Sequence, residues 1–197
     1  MNIYSKSKAA NVLNRCSWCG SDPIYQAYHD YEWGKPIFDD QKLFALLCLE
    51  SMQAGLSWIT ILKRKEALYR AFDGFNPLIL AAYDESKINA LKDDATIIRH
   101  AGKIYAMVGN AKAYLKISKQ QSFSEYVWGI VKKHQGQAPL DRMPKCESEI
   151  PTQTKASIAL SKQLKKDGFK FVGPTICYAF MQACGMVNDH VQSCNFR

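Results

Sequence analysis

Residues 43–58 read LFALLCLESMQAGLSW. Leu43, Leu46 and Leu47 fall on one helical stripe, and Glu50 continues it at the i+3 and i+4 positions from Leu47 and Leu46. A carboxylate among apolar neighbours is costly unless a donor or a cation meets it. Gly55 offers a stop, and Ser57 can cap a second helix opening at Trp58. One tight turn therefore separates a partly buried carboxylate from an indole, a pairing suited to a flat, polar or cationic ring. The other reading is a core helix whose Glu50 reaches the surface or pairs with a lysine. This stretch alone leaves both open.

Working outward, the same helical grammar continues. Residues 15–38 are aromatic-rich and punctuated by Gly20, Pro23, Gly34 and Pro36, which predicts short helical turns and loops. A helix is expected over about 40–53 and a longer one over 57–72, with Ile59, Leu62 and Leu68 on its apolar face. Asn76-Pro77 starts a short helix and Asp84 caps the next. Residues 96–117 read as one helix, interrupted at Gly102 or Gly109. Ser122-Phe-Ser-Glu125 has capping-box spacing. A Pro-containing loop over 135–151 precedes helices at about 154–167 and 174–186. No stretch alternates over strand length, so the expected class is all-α with roughly eight helices. Residues 1–14 read as a loose leader and 15–197 as one unit. Within that unit, 15–38 with 150–197 forms one lobe and 39–149 a helical lobe.

Composition narrows the function class. The chain has 197 residues, 47% of them hydrophobic, enough for a sizeable core and against wholesale disorder. A formal charge of +8, from 26 Lys+Arg against 18 Asp+Glu, favours a polyanionic partner, nucleic acid ahead of membrane. Seven cysteines show no disulfide framework. The N-terminus lacks a signal-peptide core, and no apolar run is long enough to span a bilayer. The reading is a soluble protein of a reducing, cytoplasmic compartment, with no membrane partner. Nothing points to oligomerisation, so a monomer is expected.

Three constellations could carry chemistry. Cys16 and His29 lie in the first block, and His190 and Cys194 sit at i and i+4 in the last. Such a Cys2His2 set suits a structural Zn2+ with no open position. Cys19 competes as a ligand, and two unrelated Cys/His pairs remain the alternative. Cys48, Cys177 and Cys184 read as core. Residues 165–184, KKDGFKFVGPTICYAFMQAC, run helix, Gly-containing hairpin, helix. The second helix's N-terminus can hold a phosphate, and Lys162, Lys165, Lys166 and Lys170 crowd the approach. An ordinary αα-corner would look the same. A second hairpin is expected around Asp93–His100 with Arg99 and Lys103. Finally, Trp18, Tyr25, Tyr28, Trp33 and Trp58 cluster in sequence around Glu50, as core or as the wall of a pocket for a stacked base. His100 and His134 read as surface or satisfied residues. No Gly-rich nucleotide loop, Ser/His/Asp set or paired carboxylate stands out.

Together these stretches resemble the 3-methyladenine DNA glycosylase I family, bacterial alkylation-repair enzymes of the helix-hairpin-helix superfamily. The matching segments are Arg15-Cys16-x-Trp18, DPIYQAYHDYEWG (22–34), KLFALLCLE-x-x-QAGLSWITIL (42–62), IIRHAGKI (97–104), SEIPT (148–152) and LKKDGFKFVGPTICYAFMQACGMVNDHV (164–191). They run in order from Arg15 to Cys194. The resemblance implies a helix-hairpin-helix glycosylase fold whose termini are stapled by zinc on Cys16, His29, His190 and Cys194. It implies that Glu50 is the catalytic residue and hydrogen-bonds the extruded base with Tyr28, that Trp58 stacks on that base, and that Trp18 and Trp33 are further walls. Gln53, Gly55 and Leu56 would enter the duplex, and the 168–175 hairpin, with Lys170, Gly173 and Thr175, would clamp its backbone. The implied activity is release of 3-methyladenine from alkylated double-stranded DNA, with no catalytic role for Asp189. Rival expectations are a glycosylase of different lesion preference and a non-catalytic, zinc-stapled DNA-binding protein. Residues 1–14 are extra to the family pattern, and Thr96 stands where the family usually has Gly.

Overall fold

Caps written into the sequence start most of the helices. The computed structural model describes residues 13–197, so most of the expected leader lies outside the described residues. Asp22 accepts from Ile24 N–H ahead of α1 (Pro23–Tyr31), and Asp39 from Lys42 N–H ahead of α2 (Asp40–Gln53). Two short helices follow, α3 (Trp58–Leu62) and α4 (Lys65–Ala71). Asn76 caps α5 (Pro77–Ala81) and Asp84 caps α6 (Glu85–Asp93). The ring of His100 caps α7 (Ala101–Ser118). Ser122 and Glu125 close a capping box on α8 (Phe123–Gln135). Thr154 and Ser157 close another on α9 (Lys155–Lys166), and Gly173 precedes α10 (Pro174–Ala183).

α2 occupies the centre. From Leu43 to Met52 every residue except Leu46 is buried, the signature of a helix enclosed on all sides. It packs against α7, α8 and α10, and α9 lies between α8 and α10. Asp40 at its start also accepts the backbone N–H groups of Phe123 and Ser124, at 3.0 and 2.8 Å, and so ties the start of α8 to α2. The two ends of the described residues meet: Asn14 and Asn195 exchange hydrogen bonds of 2.6 and 2.9 Å. Among the described residues, no helix is long and apolar enough to cross a membrane.

Three expectations need correction. The helix expected over 57–72 breaks at Lys63–Arg64 into α3 and α4. In a continuous helix Leu62 and Leu68 would point about 120° apart, whereas the break lets both be buried. Residues 96–100 are not helical; Asp94 draws Thr96 N–H into a side-chain turn at 2.8 Å, and α7 then runs through Gly102 and Gly109 without interruption. The class is mostly helical as expected, but the expected lack of strands is not met. Two-residue strands β1 (Leu140–Asp141) and β2 (Val187–Asn188) pair in parallel. Strands this short leave no periodicity to read. They dock the 140–152 loop beside the segment that follows α10.

Candidate active site and metal-ligand cluster

Glu50 sits on the last full turn of α2, and α2 ends where Gly55 adopts φ +77°, a conformation that favours glycine. The chain then re-enters a helix at Trp58, with Ser57 as the N-cap residue; its hydroxyl pairs with that of Thr60 at 2.7 Å rather than with the backbone. The carboxylate and the indole therefore flank one turn, as the spacing predicts. They face a cavity of about 370 Å³, within the range of small-molecule sites. Trp18, Tyr28 and Trp33 wall one side, Gln53 belongs to the rim, and Thr175, Tyr178 and Gln182 come from α10.

The polar atoms in this cavity are under-satisfied. Only 2% of Glu50 is exposed, and its Oε2 has no hydrogen-bond partner. The buried Nε1 of Trp58 has none either. Burial raises the Glu50 carboxyl from 4.5 to about 8. Burial first, and then Glu50, push the Tyr28 phenol well above its usual value. Buried polar atoms without partners are rare in native structures and mark places where a ligand completes the bonding. The Tyr28 and Trp58 rings lie 5.5 Å apart, and Trp18 meets Trp33 edge-on at 4.9 Å.

Sequence reasoning did not find Tyr178, Gln182 or Glu147. Tyr178 and Gln182 are four residues apart on α10, one helical face, and both donate to Asp189 Oδ2, at 2.5 and 2.9 Å. Arg142 Nε lies 3.2 Å from the other oxygen of Asp189. Asp189 is thus engaged as a support behind the cavity wall. Glu147 accepts Trp18 N–H at 3.0 Å and joins the 140–152 loop to the cavity.

Behind Trp18 and Trp33, the ligand atoms of Cys16, His29, His190 and Cys194 all lie within 4.8 Å of one another, and all four residues are buried. Cys194 Sγ stands 3.5 Å from His29 Nε2 and 3.4 Å from His190 Nδ1, and Cys16 Sγ stands 3.7 Å from His190 Nδ1. A tetrahedral ion with the usual Zn–S and Zn–N lengths separates its ligands by about 3.4–3.8 Å, so the set fits such an ion. His29 Nδ1 pairs with Asp30 at 2.8 Å, and Arg15 grips Asp30 through both oxygens. A carboxylate behind a ligand histidine fixes ring orientation and tautomer. Burial and then His29 push His190 down to about 4, which keeps its ring neutral as a ligand requires. Cys19 is outside the set; its thiol donates to Cys16 O at 3.1 Å.

The residues expected to face a duplex are placed as follows. Gly55 and Leu56 are exposed at the α2–α3 turn, Leu56 by 41%. The α9–α10 connection turns at Gly168 (φ +104°) and Phe171 (φ +56°). Lys162, Lys165, Lys166, Lys170 and Thr175 are exposed along it. The second hairpin expected around 93–100 loses one of its cations. Lys103 is buried, and its Nζ donates to Met52 O at 2.8 Å and Ala54 O at 2.6 Å, so it is committed to the end of α2.

The model of the family described as methyladenine glycosylase matches residues 18–197. The chain belongs to the methyladenine glycosylase family. DNA-3-methyladenine glycosylase 1 of Escherichia coli (strain K12) is 54% identical over 183 residues, covering 92% of this chain and 96% of that protein. A crystal structure of 3-methyladenine DNA glycosylase I superposes with a TM-score of 0.88 at 50% identity, covering 92% of this chain and 98% of the other. A variant of 3-methyladenine DNA glycosylase I crystallised in complex with 3-methyladenine gives a TM-score of 0.87 at 39% identity, over 93% and 97% of the two chains. The mostly helical fold described above is the one this family shares.

Proposed function

We infer that this chain is a DNA-3-methyladenine glycosylase. It hydrolyses the N-glycosidic bond of 3-methyladenine in alkylated DNA and leaves an abasic site. The observation that carries this reading is the unpartnered, buried carboxylate of Glu50 beside the unpartnered indole N–H of Trp58. Methylation at N3 gives the glycosylated adenine a positive charge and weakens the bond to the sugar. An extruded cationic base would pull Glu50 into its ionised form, and the carboxylate would accept from the exocyclic amino group. Tyr28 supplies a further hydrogen bond, and Trp58 stacks with a cation–π contribution of about 1–2 kcal/mol when desolvated. Trp18 and Trp33 exclude water. Unmodified adenine forfeits the charge terms, and this is the basis of discrimination.

The chemistry then needs little from the protein. The N9–C1′ bond breaks with its electrons leaving on the base, which neutralises the cation. Water adds to the oxocarbenium-like C1′ and gives up a proton. No lysine lines the cavity among the described residues, so strand cleavage through a covalent amine intermediate is not expected.

On double-stranded DNA, a single copy would act with Gln53, Gly55 and Leu56 filling the position that the base leaves. The α9–α10 connection, with Lys170, Gly173 and Thr175, serves as a helix-hairpin-helix clamp on the phosphates. The cavity draws on both lobes of the expected division, Glu50, Gln53, Trp58 and Glu147 from 39–149 and the remaining walls from 15–38 and 150–197. Zn2+ on Cys16, His29, His190 and Cys194 would supply a cross-link between the chain ends and take no part in the reaction.

Chromatography of bases released from methylated duplex DNA tests this reading. Release of 3-methyladenine, with 7-methylguanine left on the DNA, is expected. Release of another base would change the lesion assignment, and no release from folded, metal-loaded protein would leave a DNA-binding protein without catalysis.

A further inference from the structure

Helix α7 contributes no residue to the cavity lining, yet it carries two buried polar side chains, Lys103 and Asn110. They are seven residues apart, two turns, and so lie on one face about 10 Å apart along the axis. Lys103 Nζ donates to Met52 O and Ala54 O, at 2.8 and 2.6 Å, the carbonyl end of α2 just before Gly55 and Leu56. These are carbonyls left without helical partners, and a cation there also suits the helix dipole. Asn110 bonds Lys170 of the α9–α10 connection in both senses. Its Nδ2 donates to Lys170 O at 3.2 Å, and its Oδ1 accepts Lys170 N–H at 2.8 Å. At the N-terminus of α7, the His100 ring packs edge-on against Phe171, 6.1 Å between centroids.

Two loops far apart in sequence are therefore pinned to one rigid rod, each at its backbone. We propose that Lys103 and Asn110 are positioning residues that hold the 53–57 turn and the 168–173 hairpin at a fixed separation, so that both engage one duplex at once. Neither side chain reaches the base or the phosphates. They act by letting the hairpin's grip on the backbone set where Leu56 meets the base stack. Misplacing a reacting constellation by about 1 Å costs on the order of 100-fold in rate. Loss of either anchor should therefore fall on extrusion from a duplex and spare a base already free to enter the cavity. The proposal rests on the function inferred above and on both loops facing DNA.

The test compares Lys103→Met and Asn110→Leu with the unaltered chain in two assays: base release from methylated duplex DNA, and equilibrium binding of free 3-methyladenine. Each variant is expected to release base about 10–100-fold more slowly, while free-base affinity stays within about twofold. Lys103→Arg, whose guanidinium can donate to both carbonyls, should recover most of the rate. The double variant should be no slower than the slower single one, since either loss already breaks the spacing. If Lys103→Met or Asn110→Leu does not fold, Lys103→Gln and Asn110→Ser take their place with the same readouts. Near-normal release, or losses of release and free-base affinity in parallel, would overturn the positioning role, as would multiplicative losses in the double variant. An unaltered chain that releases nothing refutes the glycosylase reading, and this inference with it. Normal release by Leu56→Ala shows that the turn does not face DNA and removes the basis of the proposal while the activity stands.

Discussion

Replacing Glu50 with Gln should cost activity and add stability, and the added stability should depend on pH in a specific way. The Glu50 carboxyl is raised from 4.5 to about 8 by burial. An unfolded chain gives up this proton near 4.5, while the folded chain holds it to about 8. The protonated side chain is therefore tolerated at low pH, and stability is lost as pH rises between those values, at about 1.4 kcal/mol per pH unit. The loss is about 3 kcal/mol at pH 7 and approaches 5 kcal/mol above pH 8. Glutamine does not titrate. The stability gap between Glu50→Gln and the unaltered protein should widen by about 4 kcal/mol from pH 5 to pH 9, roughly 10 °C in Tm for a chain of this size. Taking the gap between two proteins in matched buffers cancels every other titration, including any at the metal cluster. Thermal or urea unfolding from pH 5 to 9 measures it, alongside base release from methylated DNA, which should fall about 100-fold or more. A gap that stays flat across this range would mean that Glu50 is ionised in the empty cavity, and the account of an unpartnered, poised carboxylate would be wrong.

Base release by the unaltered protein should rise from pH 6 to 8 and then level off, because the cation needs Glu50 deprotonated; the inflection should be lower for kcat than for kcat/KM, since a bound cation pulls the carboxyl down. A decline over that range would contradict this role. Chelation should lower Tm and weaken free 3-methyladenine binding through Trp18 and Trp33, with recovery on adding zinc; elemental analysis should find about one zinc per chain, and a chelator-indifferent Tm would refute a structural ion. Gly185→Ala should destabilise the fold by about 2 kcal/mol or more. Its φ is +72°, and a Cβ there would lie 2.4 Å from Pro36 N; denaturant unfolding checks this, and an unchanged midpoint would show that the 34–37 segment can yield.

The sequence was most readable where chemistry is local. Caps at Asn76, Asp84 and Ser122 and the stop at Gly55 can be named from neighbouring residues alone, and the structure places them at helix ends. Glu50 was visible because a charge on an apolar stripe breaks a pattern. The metal-ligand set was visible as residue types, but only the fold brings together residues as far apart as Cys16 and Cys194. Contacts that depend on tertiary placement were hidden. Lys103 looks like any lysine beside a basic loop, and nothing near it in the chain says that its partners are Met52 and Ala54. Tyr178 and Gln182 sit within an ordinary helical face, and only the buried Asp189 shows that they are held. The break between α3 and α4 was missed because the charged run 63–66 continues a plausible polar face.

The Cys16, His29, His190 and Cys194 cluster also orders events in time. Half of its side chains, His190 and Cys194, come after α10, with 174 positions between Cys16 and His190, and Trp18 and Trp33 stand against it, with Trp33 4.6 Å from His190. During synthesis the central helices can form and pack while the ribosome still holds residues 190–194. One wall of the cavity stays unfinished until those residues emerge. A nascent chain that has folded its central helices would therefore still lack a finished pocket, so that a repair enzyme of this design becomes able to open a glycosidic bond only once residues 190–194 have joined the fold.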